Sequence, residues 1–239
     1  MEVKKNIAYL LLLFLLIGCN KEGEESLTHV RDLTPFHSVE LNDVFEVSLV
    51  EDSSFYVELI ATPKMLEGVE VRVEDGVLYL DRENGNRWYR PSTNQVHVVI
   101  HAKPLNLVVA NKTCNVVTVN PITSDEFGIV FKDKASHGSL ELNCNSFYFW
   151  NNEPTGGYLR LFGQTNHFKI WNAAIMTVDA KDLQSNYALI ENYSKGDCIA
   201  NVNGTFDYVI TGHGDIHLYG NPTTVNEIED SGAGELIQY

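Results

Sequence analysis

Phe147-Tyr148-Phe149-Trp150-Asn151, Phe168-Lys169-Ile170-Trp171-Asn172 and Ala188-Leu189-Ile190-Glu191-Asn192 are three copies of one pattern. They begin 21 and 20 residues apart (168−147 and 188−168). In each, the first and third residues share one face of a strand and the second and fourth share the other. The fifth is Asn, a turn residue. A strand closed by a turn and repeated at fixed length marks a solenoid, in which successive turns of chain stack on one another. The pattern extends outward in steps of 20 to Phe127 and Leu107 (147−127, 127−107) and to Tyr208 and Ile228 (208−188, 228−208). Four residues after these starts come Asn111, Phe131, Asn151, Asn172, Asn192, Gly212 and Gly232. All but Phe131 are Asn or Gly, the types that tolerate a left-handed backbone. Phe131 marks a rung expected to depart from the regular coil.

Columns such as Phe147, Phe168, Ala188 and Tyr208 are expected to stack inside the coil, about 4.8 Å apart. Each large apolar side chain so buried contributes roughly 1.5–3 kcal/mol. A second, weaker strand follows in each rung: Leu140-Glu141-Leu142, Leu159-Arg160-Leu161, Ile216-His217-Leu218 and Leu236-Ile237. Upstream the strand signal is continuous. Residues from Ser38 to Val50 alternate around a turn at Asn42-Asp43, and Phe55 to Ile60 and Val96 to His101 read as strands. Asp75-Gly76 joins Val69–Val73 to Val77–Leu80 as a hairpin. Met65-Leu66-Glu67 predicts at most one helical turn. Asp81 to Gln95 is a polar loop carrying Trp88 and Tyr89, expected to fold back over the core rather than to meet a ligand.

Residues 1–18 stand apart from this pattern. Lys4 and Lys5 precede an apolar run, Ile7 to Ile17, too short to span a bilayer comfortably. Leu16-Ile17-Gly18-Cys19 resembles a bacterial lipobox, which implies cleavage after Gly18 and a lipidated Cys19. The polar stretch from Asn20 to Ser26 predicts a flexible tether over residues 19–33. Its acidity resembles the signal that follows the lipidated cysteine in surface-exported lipoproteins of the Bacteroidetes. Outer-membrane anchoring, more readily on the cell surface than facing the periplasm, is the expectation.

The chain carries a formal charge of −15, and residues 1–18 contribute +1 (Lys4 and Lys5 against Glu2), leaving −16 on the remainder. That balance argues against a nucleic-acid partner and against electrostatic docking on anionic lipid. Cys114, Cys144 and Cys198 have no C-x-x-C spacing and read as buried thiols. Cys114–Cys144 and Cys144–Cys198 disulfides stay open as alternatives.

Two segments near the end carry a family resemblance. They are Gly212-His213-Gly214-Asp215-Ile216-His217-Leu218-Tyr219-Gly220-Asn221-Pro222 and Ser231-Gly232-Ala233-Gly234-Glu235-Leu236. So do Phe36 to Leu41, Val44 to Leu49 and Val71 to Leu80. They resemble the head-GIN, or DUF2807, family over about residues 34–239, taken here as one domain. The resemblance implies an all-β, right-handed parallel β-helix of about 20 residues per rung, in a family of Bacteroidetes lipoproteins labelled autotransporter adhesins. It brings no catalytic residues. The family's Gly-Ser-Gly turn is clear only at Gly212–Gly214 and Gly232–Gly234.

Neither His97 with His101 nor His213 with His217 is expected to bind metal. Four residues along a strand span about 13 Å, whereas zinc takes nitrogens at about 2.0–2.1 Å, and Asp215 does not rescue the second pair. No cofactor is expected. G-x-S-x-G, H-E-x-x-H and phosphate-loop motifs are missing from the sequence. Cations that would neutralise an acidic polysaccharide (Lys132, Lys134, Arg160, Lys169, Lys181, Lys195) are scattered among acids. Trp150 and Trp171 occupy the same outward step of adjacent rungs, beside outward Tyr148 and Lys169. These four are the candidate ligand-binding residues, a platform for sugar rings or another protein. The alternative is that they cover the coil against a loop. Asn151, Asn172 and Asn192 are expected to form a ladder of side-chain amides.

The expected function is therefore non-enzymatic binding of protein or glycan through a lateral face, by a protein held to the membrane through Cys19. A polysaccharide-processing enzyme and a structural envelope component are the alternatives. Little chain follows Leu236, so the open end of the coil invites pairing with another copy, and a homo-oligomer stays open as an alternative to a monomer.

Overall fold

A computed structural model describes residues 25–82, 95–151 and 154–239; the leader, Cys19 and the Trp88–Tyr89 loop lie outside the described residues. Each rung consists of two strands, and parallel pairing joins like strands of successive rungs into two ladders. The first ladder runs through β6 (Val77–Arg82), β2 (Ser38–Leu41), β8 (Leu107–Ala110) and β10 (Glu126–Phe131). The second runs through β7 (Val96–His101), β3 (Phe45–Val50) and β9 (Asn115–Thr118). Beyond these come long strands: β11 (Ala135–Asn151), β12 (Gly156–Asn172), β13 (Ile175–Asn192) and β14 (Cys198–Ile210). Their first halves extend the second ladder and their second halves extend the first. Three strands finish the stack: β15 (Ile216–Tyr219), β16 (Thr224–Asp230) and β17 (Leu236–Gln238). The fold is a parallel β-solenoid with roughly 20 residues per rung, as the periodicity requires.

The N-terminal end is built differently. The β2–β3 rung lies between the β6–β7 rung and the β8–β9 rung, so the chain enters the coil at its second rung. Antiparallel strands cover the first: β5 (Val69–Glu74) lies on β6, and β4 (Tyr56–Ala61) lies on β7. The single helical turn α1 (Pro63–Leu66) buries Met65 and Leu66. The tether expected over 19–33 is corrected at its end: β1 (Leu27–Asp32) is a strand, antiparallel to β4. β1 is almost wholly exposed. It lacks the apolar alternation that announces a strand, and the open edge of β4 supplies its backbone partners.

Inward side chains fill the coil. Leu78, Val39, Val108, Ile129, Phe149, Ile170, Ile190 and Tyr208 follow one another in register, and all are buried. A second column contains Phe127, Phe147, Phe168, Ala188 and Phe206, with ring centroids 6.0 and 6.1 Å apart along the first three. The 20-residue count slips at both ends. Leu107 pairs with Gly128, and Ala188 pairs with Phe206 rather than Tyr208, because the β13–β14 register shifts twice. Ile228 drops out of the ladder at a bulge between Glu227 and Glu229 and is 61% exposed.

Phe131 does not interrupt its rung. It sits in register above Ala110, fully buried, and meets Phe149 edge-on at 5.9 Å. Nor do the corner asparagines use a left-handed backbone: among the described residues Asp75 is the one non-glycine with positive φ (50°). Asn151, Asn172 and Asn192 point inward and are buried. Gly212 is required for space, since a Cβ there would strike the Ser194 carbonyl of the preceding turn. Cys114, Cys144 and Cys198 are free and buried, so neither disulfide forms.

Both edges of the first ladder are acidic. β16 carries Glu227, Glu229 and Asp230 on a wholly exposed strand, and β5 at the other end carries Glu70 and Glu74. Charged edges resist casual strand pairing.

Candidate binding face

The second halves of β11, β12 and β13 run side by side, so their outward residues form a grid. Tyr148, Lys169 and Leu189 make one row; Trp150, Trp171 and Glu191 make the next. The structure thus brings together all four residues predicted from sequence and adds Leu189 and Glu191. With Val130 they line an open groove of about 370 Å³.

Local packing fixes the shape of this groove. Gly128 lies beside Tyr148 in the adjacent strand, and a Cβ there would collide with the Tyr148 ring. The ring therefore lies down across the rung below instead of standing into solvent. Burial, with Glu126 nearby, raises the Tyr148 phenol above its ordinary value. Trp171 is 41% exposed and leans on Tyr193, with centroids 4.8 Å apart. The Tyr193 hydroxyl donates to Glu191 at 3.2 Å, and burial together with that carboxylate raises its pKa. Trp150 is half-buried and Lys169 exposed. No loop among the described residues lines this groove.

The arrangement is suited to adsorption. Tryptophan and tyrosine faces take up C–H-rich faces of sugars or apolar side chains, while Lys169 and Glu191 supply directional contacts at the margin. Among the described residues lining the groove, Glu191 is the one carboxylate. Glycoside hydrolysis ordinarily needs two, on either side of the scissile bond.

Three of the four histidines singled out from sequence, His97, His101 and His217, have side-chain partners. His97 Nε2 lies 2.8 Å from Ser48 Oγ. His101 is held by Asp52 at 2.7 Å and stacks on Tyr56 at 3.9 Å. That contact draws the Asp52 carboxyl below its usual value. His213 and His217 do not converge. His217 instead approaches Asp197 and Asp215, with one ligand-type atom of each lying within 4.8 Å of the others. Those carboxylates are engaged in the turns: Asp197 accepts from the Asp215 backbone and Asp215 from the Glu235 backbone, both at 2.9 Å.

Sequence reading missed a second feature. Where the long strands bend between ladders, Asn143-Cys144-Asn145, Gln164-Thr165-Asn166, Gln184-Ser185-Asn186 and Asn201-Val202-Asn203 fall at equivalent places. The signal was an amide-x-Asn triplet repeated at intervals of 21, 20 and 17 residues (164−143, 184−164, 201−184).

A family model described as "Putative auto-transporter adhesin, head GIN domain" (DUF2807) matches residues 35–222. A solved "putative adhesin" from Bacteroides fragilis NCTC 9343 superposes with a TM-score of 0.79 at 17% identity, covering 91% of this chain and 98% of its own. A "putative adhesin" from Parabacteroides distasonis ATCC 8503 gives 0.65 at 13% identity, with 91% and 98% covered. A "putative lipid binding protein" from the same strain gives 0.62 at 14% identity, with 90% and 98% covered. At these identities the likeness is one of fold. No curated protein matches the chain in sequence.

Proposed function

The chain belongs to the DUF2807 family of head GIN domains, and on that premise we propose that it is a non-enzymatic envelope protein that binds protein or glycan through the Trp150–Trp171 face. One observation carries the reading: two tryptophans stand in register on adjacent rungs and, with Tyr148, line an open groove. A monomer that spends large aromatic side chains on an outward face does so for contact with something else. The family description supports an adhesin-like role. The lipobox ending at Cys19 supports a lipid anchor in the outer membrane, and the acidic stretch after it supports display on the cell surface.

The test is a glycan array together with a pull-down from envelope extract, using wild-type protein and the Trp150→Ala, Trp171→Ala double variant. Wild type is expected to give at least one hit that the double variant loses while keeping its melting temperature. Survival of every hit in the double variant would move the site elsewhere, and turnover of an acidic polysaccharide by purified protein would end the non-enzymatic reading. Shaving intact cells with protease is expected to remove the domain; protection would place it facing the periplasm.

A further inference from the structure

The bend of the long strands carries a trough that the aromatic face does not include. Asn143, Gln164 and Gln184 form one outward column in register across β11, β12 and β13. Asn145, Asn166 and Asn186 form a second, two residues further along each strand. Between the columns Cys144, Thr165 and Ser185 point inward and are buried. The columns flank a hollow of about 260 Å³ whose lining, from Asn143 to Asn203, is uncharged throughout. An adjoining hollow of about 330 Å³ shares Asn143, Gln164 and Gln184 and adds one carboxylate, Glu141.

The amides bind one another along the axis. Gln164 donates to Asn143 at 2.7 Å, Asn166 to Asn145 at 2.9 Å and Asn186 to Asn166 at 2.9 Å. A primary amide has two N–H groups and an oxygen with two lone pairs. Asn166, in the middle of its column, has one donor and one acceptor site engaged in the ladder, and Gln164 has one donor engaged. The amides of Asn143, Gln164, Gln184, Asn166 and Asn186 line the trough and keep donor and acceptor capacity beyond the ladder, at rungs about 4.8 Å apart.

We propose that this trough is a second binding site, for a neutral glycan chain lying along the solenoid axis. A ligand here must offer both donors and acceptors at short intervals and carry no charge. Sugar hydroxyls are donor and acceptor at once. An anion would meet no cation in the lining, on a chain of formal charge −15. A peptide is recognised through a free strand edge or apolar side-chain pockets. Here the backbone is already paired to the rungs above and below, and the walls are polar.

The test uses the mature chain and isothermal titration against a panel of oligosaccharides: neutral glucans, mannans and xylans, with oligogalacturonate and an extended uncharged peptide as controls. Two variants are compared with wild type, Gln164→Leu with Gln184→Leu and Trp150→Ala with Trp171→Ala. The glutamines are exposed, so unchanged circular dichroism and melting temperature are expected. At least one neutral glycan is expected to bind wild type and to bind the glutamine variant about tenfold more weakly, the loss of one or two net hydrogen bonds. The tryptophan variant is expected to retain it, which separates this site from the aromatic face. Binding of no neutral glycan overturns the proposal. So does equal or tighter binding of oligogalacturonate or peptide, and so does affinity that follows the tryptophans and ignores the glutamines.

Discussion

At the first corner of the central rungs Asn151, Asn172 and Asn192 point inward and are buried, while at the second bend Asn145, Asn166 and Asn186 point outward and are exposed. The inward amides bind backbone. Asn192 Nδ2 donates to the carbonyls of Gly196 at 3.2 Å and Gly214 at 2.9 Å, and Asn172 Nδ2 donates to the Met176 carbonyl at 2.6 Å. Asn151 accepts from the Ala173 N–H at 2.9 Å. The outward amides bind each other, in competition with water. A buried acceptor deprived of its donor loses its hydrogen bond with no solvent to replace it, whereas an exposed one exchanges partners at little net cost. One residue type therefore holds the turns together at one corner and sets the surface chemistry at the other.

The sharpest way to expose that difference is thiol reactivity. Cys198 lies beneath the first corner, 3.5 Å from Asn172 Nδ2, and burial pushes its thiol up to about 12 from an ordinary 9.0. At neutral pH its thiolate is therefore far scarcer than that of a free cysteine. Cys144 lies at the bend, buried less completely, with its thiol raised too and in contact with Thr165 Oγ1. Alkylation mapped by mass spectrometry is expected to label Cys144 well before Cys198; equal rates would mean that the corner is no better sealed than the bend.

Stability should follow the same division. Asn192→Ala leaves the Gly196 and Gly214 carbonyls without this donor and is expected to cost about 2–4 kcal/mol in urea unfolding. An effect below about 1 kcal/mol would show that water replaces the amide. Gly163→Ala, next to the trough, is expected to cost about 1–3 kcal/mol, because φ there is 104° and a Cβ would meet the Leu142 carbonyl. Asn186→Ala is expected to shift stability by no more than about 0.5 kcal/mol. A large loss from Asn186→Ala would make the outward ladder structural and weaken its claim as a binding surface.

Much of this was legible in the chain. The spacing of Phe147, Phe168 and Ala188 fixes the rung, and strict alternation places Trp150 and Trp171 outward together. What the spacing hides is register. Two shifts between β13 and β14 turn a 20-residue step into one of 18 between Ala188 and Phe206 (206−188), and apolar residues occupy both the counted and the true positions. The corner asparagines were placed correctly for the wrong reason, since a turn residue that tolerates positive φ and one whose amide caps a buried turn look alike in sequence. The amide triplets escaped because a search for apolar periodicity passes over polar residues, and because their last interval shortens to 17 (201−184).

The rung order at the N-terminal end has a consequence for how the chain is made. β2 and β3 are the first strands of the coil to be synthesised, yet their neighbours on one side, β6 and β7, end at His101, and those on the other, β8 and β9, end at Thr118. A nascent chain leaving the ribosome therefore holds an unpartnered rung until 51 further residues have emerged (101−50), and a rung open on its other side until 68 have (118−50). That interval favours chaperone capture and penalises premature pairing with other chains. The later rungs, each laid directly on its predecessor, face no such wait, so assembly is expected to be slow to start and quick to finish.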